Sequence, residues 1–253
     1  MHIKIHGLQR TGTNYVSNVI KNNFKEVELL ESGGWKHGPY CGYLLEKEPS
    51  VIIVSKNIYA WLVSCYEYWR KIDGLGPDLS NISFEEFVMK SPVVLEGSED
   101  VPFLFRAKNL IQYYQNFYFH WLSIKFREPH NRVCLIRYDD ILSNSDKTIS
   151  DLADIFNLHK PEKAENIKNE VIWGYDDYSP EIEGSYDKSV ETYIKEHTKK
   201  FKKGNYYQDK EYMNKFNDKL LKFIESEWDH WLMAPERLDY KVEKTSIFER
   251  LEV

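Results

Sequence analysis

The chain has 253 residues, 34 Lys and Arg against 40 Asp and Glu, and a net charge of −6. Its 42% apolar and 29% charged residues suit a globular protein and exclude a disordered one. An isoelectric point near 5.8 excludes a broadly basic nucleic-acid binder but leaves room for a local anion site. No apolar run has the length of a membrane helix, and from the strand-like start at Ile3 no signal peptide is expected. Cys41, Cys65 and Cys134 form no paired motif, so neither a disulfide scaffold nor a zinc pattern is expected. The expectation is a cytoplasmic protein whose residues 1–253 form a single domain.

The elements follow in chain order. Ile3 to His6 reads as a short strand running into Gly7. From Asn14 to Phe24 a helix is expected, because Tyr15, Val16, Val19, Ile20 and Phe24 recur at helical spacing. Val51 to Ser55 is a continuous β-branched run, the pattern of a buried parallel strand. Ile58 to Trp69 reads as helix, and Ser83-Phe-Glu-Glu86 opens another with a capping box. Asn109 to Phe126 is a long aromatic helix whose Tyr113, Phe117 and Trp121 form a core stripe. Val133 to Ile136 is a second buried strand, Ile149 to Phe156 a helix, and Phe216 to Trp231 a final amphipathic helix. Residues 160–193, acidic and rich in Tyr, read as loops and short helices. Alternating strand and helix predict a three-layer α/β/α fold around a central parallel sheet.

The segment Gly7-Leu-Gln-Arg10-Thr11-Gly12-Thr13-Asn14-Tyr15 lies between a strand and a helix. Its glycines, spaced G-x-x-x-x-G, let the backbone curl so that amide groups and the helix N-terminus cradle an anion. The nucleoside-triphosphate P-loop shares this spacing but continues Gly-Lys-Ser/Thr. Here Thr13 and Asn14 follow Gly12, and the basic residue is Arg10.

Arg10-Thr-Gly-Thr13 resembles the 5′-phosphosulfate loop of sulfotransferases that use 3′-phosphoadenylyl sulfate (PAPS). That family also has a strand, then Arg-Asn/Asp-Pro, then a helix with Ser eight residues after the Arg; both residues hold the 3′-phosphate. Lys56-Asn57-Ile58, with Ser64 eight residues after Lys56, is similar, with Lys in place of Arg and Ile in place of Pro. Leu135-Ile-Arg-Tyr-Asp-Asp-Ile-Leu142 resembles the family's strand ending in Tyr-Glu-Asp-Leu, which implies that Tyr138 lies against the adenine. Lys202-Lys203-Gly204 resembles the late Arg-Lys-Gly that closes over the 3′-phosphate. These residues, with Arg10, Thr11, Gly12, Thr13, Asn14 and Tyr15, make the implied cofactor site. The product would be adenosine 3′,5′-bisphosphate, and no metal is implied.

Sulfuryl transfer to a hydroxyl or amine needs positioning, proton removal and neutralisation of the leaving oxygen, by analogy with phosphoryl transfer. The resemblance makes Arg10 the neutralising cation. Trp35-Lys36-His37-Gly38-Pro39 resembles the Lys-x-His-x-Pro segment of cytosolic members, which makes His37 the expected general base. Glu31 is the alternative base, and Lys36 is placed to touch the sulfate oxygens. Trp35, Tyr40, Tyr43 and Trp61 are candidates to line an acceptor pocket for a small molecule or a carbohydrate. Two other readings share the loop: a P-loop kinase or NTPase requiring magnesium, and a catalytically inactive nucleotide-binding protein of the same fold.

Overall fold

Ser50-Val-Ile-Ile-Val-Ser55 forms a strand buried along its whole length, and the rest of the described fold is laid around it. The computed structural model describes residues 1–30, 36–38, 50–69, 81–96, 104–127, 133–165 and 209–228. The described strands are β1 (His2–His6), β2 (Glu28–Leu29), β3 (Ser50–Ser55), β4 (Val93–Glu96), β5 (Leu104–Ala107) and β6 (Val133–Arg137). The helices are α1 (Thr13–Asn23), α2 (Ile58–Trp69), α3 (Phe84–Lys90), α4 (Leu110–Arg127), α5 (Tyr138–Ser143), α6 (Ser145–Phe156) and α7 (Asp218–Glu227), with a 3-10 turn at Glu211–Lys215.

The main sheet has the order β2-β1-β3-β6, and every pairing in it is parallel. Alternation sorts β3 between two cores. Ile52 and Val54 join Ile3 and Ile5 of β1 and Cys134 and Ile136 of β6 on one face, beneath α1, α5 and α6. Val51, Ile53 and Val133 point the other way, toward α2, α3, α4 and α7. A parallel strand covered on both faces is apolar through its middle, which is why Val51 to Val54 carries no alternation. Each fully buried side chain here contributes about 1.5–3 kcal/mol. The three-layer α/β/α arrangement expected from the strand–helix alternation is therefore present, with Tyr113, Phe117 and Trp121 in the α4-side core.

Helix boundaries follow local chemistry. Ser83 and Glu86 form the capping box of α3. Asn57 Oδ1 accepts from the amides of Tyr59 at 3.0 Å and Ala60 at 3.4 Å, so α2 starts there although Ile58 stands where proline would favour the start. Asn144 and Asn217 cap α6 and α7 in the same way.

Three features differ from the sequence reading. β4 and β5 pair as an antiparallel ribbon that no hairpin signal announces. The two-residue strand β2 is too short to show periodicity. Tyr138 opens the helix α5 instead of ending a strand. Among the described residues, no helix is long and apolar enough to cross a membrane. Most of residues 160–193 and the end of the last expected helix lie outside the described residues.

Candidate active site

The sheet order puts β2 on one side of β1 and β3 on the other. The chain thus reverses its direction of travel between β1 and β3, and ligands of open parallel sheets bind beyond the strand ends at such a reversal. The Gly7–Asn14 loop leaves β1 there, and Lys56 leaves β3 beside it.

The loop is tight. A Cβ on Gly7 would lie 2.7 Å from Thr11 Oγ1 and 2.7 Å from the Val54 carbonyl oxygen. Gly12 has φ +93°, and a Cβ there would meet the Tyr138 ring at 2.3 Å. Thr11 is fully buried, and both its hydroxyl (2.7 Å) and its amide (3.2 Å) donate to the Leu8 carbonyl. Thr11 therefore shapes the loop, and its hydroxyl is turned into the protein. Gly12 caps α1 without a side-chain hydrogen bond, and the first turn of α1 carries no acid. That N-terminus keeps amide donors and a positive field directed at the loop.

Helix α2 grips the loop from behind. Trp61 Nε1 donates to the Gln9 carbonyl at 2.8 Å, and Trp69 Nε1 donates to Gln9 Oε1 at 3.1 Å. The next residue, Arg10, takes a left-handed φ of 69°. Its guanidinium carbon lies 4.2 Å from the centre of the Tyr68 ring, a cation–π contact. Ser64 precedes Tyr68 by one helical turn, so both lie on one side of α2. Cys65, fully buried among them, has its thiol pushed up to about 12 by burial, although Arg10 and Lys56 act in the other direction. It stays protonated and is no nucleophile.

Lys56 is 4% exposed, and its ammonium donates to the Arg10 carbonyl at 3.4 Å. It also lies 5.3 Å from the centre of the Tyr138 ring. Tyr138, only 2% exposed, is packed under Gly12 and edge-on to Tyr15, with centroids 5.7 Å apart. The adenine contact expected of Tyr138 therefore needs correction. Its turn into α5 carries the ring beneath the loop, where it supports Gly12 and has no open face to offer a base.

The base candidate comes from a three-residue turn, Lys36–Gly38. Lys36 Nζ donates to Asn14 Oδ1 at 2.7 Å, which joins the turn to the start of α1. His37 Nδ1 lies 2.7 Å from the Gly7 carbonyl oxygen. A carbonyl only accepts, so Nδ1 carries the proton and Nε2 of the neutral ring keeps its lone pair. Burial, followed by the charges of Lys36 and Arg10, pushes His37 down to about 4, so the ring is neutral at pH 7.

The structure thus brings together Arg10, Gly12, Thr13, Asn14, Lys36, His37 and Lys56, with Thr11, Tyr15 and Tyr138 as supports and Ser64 on the adjoining helix. Trp61 belongs to the loop's grip and the core, so it does not line an acceptor pocket. Glu31, Trp35, Tyr40, Tyr43, Lys202, Lys203 and Gly204 lie outside the described residues. Sequence reasoning missed Gln9 and Tyr68; the spacing of Tyr68 from Ser64 was the one available signal. Among the described residues, no cluster of His, Cys, Asp and Glu is arranged to hold a metal ion.

Comparison with known proteins adds the family. No curated protein matches the chain. Among solved structures, mouse sulfotransferase SULT7A1 complexed with PAP is similar at 13% identity and a TM-score of 0.40. That match takes in 64% of this chain and 60% of the mouse chain. The sulfotransferase domain family matches residues 37–240, a span that begins at His37 and leaves the Gly7–Tyr15 loop to be read from its geometry. With most of its length inside that match, the chain belongs to the sulfotransferase domain family.

Proposed function

We propose that this protein transfers a sulfuryl group from PAPS to a hydroxyl or amine of a small-molecule or carbohydrate acceptor, with His37 as general base and Arg10 stabilising the leaving phosphate. The observation that carries the proposal is the joining of His37 to the phosphate-loop backbone. Its Nδ1 is bonded to Gly7, three residues before Arg10, so base and cation flank one loop. Family membership supports the reaction class.

When bound, the cofactor would supply a sulfuryl group on a phosphate leaving oxygen. The residues fit such a group: an uncapped helix N-terminus, a loop with no room for a Cβ at Gly7 or Gly12, and cations at Arg10, Lys36 and Lys56. His37 Nε2 takes the proton from the acceptor as the acceptor atom bonds to sulfur. Arg10 and the loop amides would stabilise the negative charge left on the phosphate oxygen when the sulfur–oxygen bond breaks. With the anionic donor bound, His37 would hold a proton more readily, offsetting the lowering by burial. Lys56, Ser64, Lys202, Lys203 and Gly204 are assigned to the 3′-phosphate on the resemblance of their segments. Thr11, Tyr15 and Tyr138 hold the loop.

The test is calorimetric titration with adenosine 3′,5′-bisphosphate in the absence of metal, with ATP and magnesium as the control, followed by sulfuryl transfer from PAPS to an acceptor panel. Micromolar binding of the bisphosphate and transfer that is lost in His37→Ala are expected. Preference for ATP with magnesium would refute the assignment in favour of a kinase or NTPase. Bisphosphate binding without transfer to any acceptor would favour an inactive member of the fold.

A further inference from the structure

A second histidine lies beside the proposed base, and the chemistry above makes no use of it. His6 ends β1 and is 1% exposed. Neither of its ring nitrogens has a hydrogen-bond partner among the described residues. The Lys36 carbonyl is near enough to favour a proton there weakly, but outside bonding geometry. An unpaired buried imidazole costs free energy that an apolar ring of the same shape would not, so filling space alone does not explain it.

His6 rests on Trp121 of α4, with ring centroids 4.2 Å apart and planes inclined by 37°. Trp121 Nε1 donates to the Gly38 carbonyl at 3.4 Å. The residue after His6 holds the same turn twice: the Gly7 amide donates to the Lys36 carbonyl at 3.0 Å, and the Gly7 carbonyl accepts from His37 at 2.7 Å. Each residue of the Lys36–Gly38 turn is thus bonded to the end of β1 or to α4. The turn belongs to none of the described strands or helices, so these bonds set its geometry.

We propose that His6 and Trp121 are positioning residues, a stacked platform that holds the Lys36–Gly38 turn so that the His37 ring stays bonded through Nδ1 to Gly7, in the tautomer whose Nε2 takes a proton. This rests on the reading of His37 as the base. Among the described residues, the charged and titratable groups that act on His37 are Lys36 on its own turn, Arg10 on the loop and His6 on β1, and Lys4 acts on His6. From α4 the neighbour is Trp121, which does not titrate. Burial keeps His6 uncharged, so the platform adds no further cation to this set.

Two variants of the 253-residue chain test the proposal. Trp121→Phe keeps a ring against His6 but removes the donor to Gly38. His6→Phe keeps a ring against Trp121 but removes the buried nitrogens. The readouts are proton NMR titration of the His37 ring in the free protein, kcat and KM with PAPS, and Tm. In Trp121→Phe the loosened turn should let the His37 midpoint rise from about 4 toward its ordinary 6.5. The kcat should fall by about tenfold or more with KM for PAPS unchanged, as expected for a misplaced base. His6→Phe should lower kcat while leaving Tm equal or higher, which a structural role would not produce. An unchanged His37 titration and unchanged kcat in both variants would overturn the platform. So would losses of kcat that merely follow losses of Tm. A shifted titration in Trp121→Phe, combined with full activity in His37→Ala, would uphold the platform and refute the base assignment instead.

Discussion

Acid should destabilise this protein well above the range in which its carboxylates titrate, and two histidines account for it. An unfolded imidazole takes up a proton as pH falls through 6.5, but burial holds His37 neutral down to about 4 and His6 down to about 3. Between those values the unfolded state binds more protons than the native one, so stability falls as pH falls. The slope is about 1.4 kcal/mol per pH unit for each histidine. Between pH 7 and pH 5 each contributes a loss of about 2 kcal/mol, or about 4 kcal/mol together. The magnitude is set by the unfolded chain, since both native rings are still neutral at pH 5. The native midpoints therefore need only lie well below that pH. The assay is urea unfolding at pH 7 and pH 5 in wild type, His37→Gln and His6→Phe. Each variant should remove about half of the excess pH dependence, and comparison with wild type cancels the other histidines. If neither variant changes the difference between the two pH values, the native rings already take up protons in this range, and the description of the site as a neutral, buried pair is wrong.

Other consequences are more local. Arg10→Ala should lower kcat by about 10²–10³-fold, the range for loss of one charge-stabilising group, with little change in Tm; activity within twofold of wild type would remove Arg10 from the mechanism. Gly12→Ala forces a side chain into a left-handed backbone and into the Tyr138 ring, so calorimetric affinity for adenosine 3′,5′-bisphosphate should drop at least tenfold. Wild-type affinity in that variant would show that the loop opens easily and is no rigid cradle. Lys56→Ala and Ser64→Ala should each weaken the bisphosphate more than adenosine 5′-phosphate. Equal losses for both ligands would move these residues away from the 3′-phosphate.

Much of the architecture was legible in the residues. Val51 to Val54 and Val133 to Ile136 are apolar without alternation, the pattern that suits a strand of a parallel sheet with helices on both faces. Ile58 to Trp69 matches its helix end to end because Asn57 supplies the cap and the aromatic spacing continues to the last turn. The ribbon of β4 and β5 was not legible. Its segments are short and separated by seven residues, Gly97 to Phe103, so no tight-turn signal marks the pairing.

The site divides along the same line. The loop, Lys56 and His37 could be proposed from the sequence because glycine spacing, a cation after a strand and a histidine in an irregular segment are local features. Which groups meet depends on pairings across the chain: His37 with Gly7, Lys36 with Asn14, Lys56 with the Arg10 carbonyl. Tyr138 shows the limit of local reading. The resemblance of its segment implied a contact with adenine, yet the fold places its ring under Gly12. Periodicity and capping decide which segments become strands and helices, since both act within a few residues. The roles of His6, Tyr68 and Trp121 were decided only when the sheet order folded β1, α2 and α4 around one loop, because no local pattern encodes a contact between residues more than a hundred positions apart, as His6 and Trp121 are.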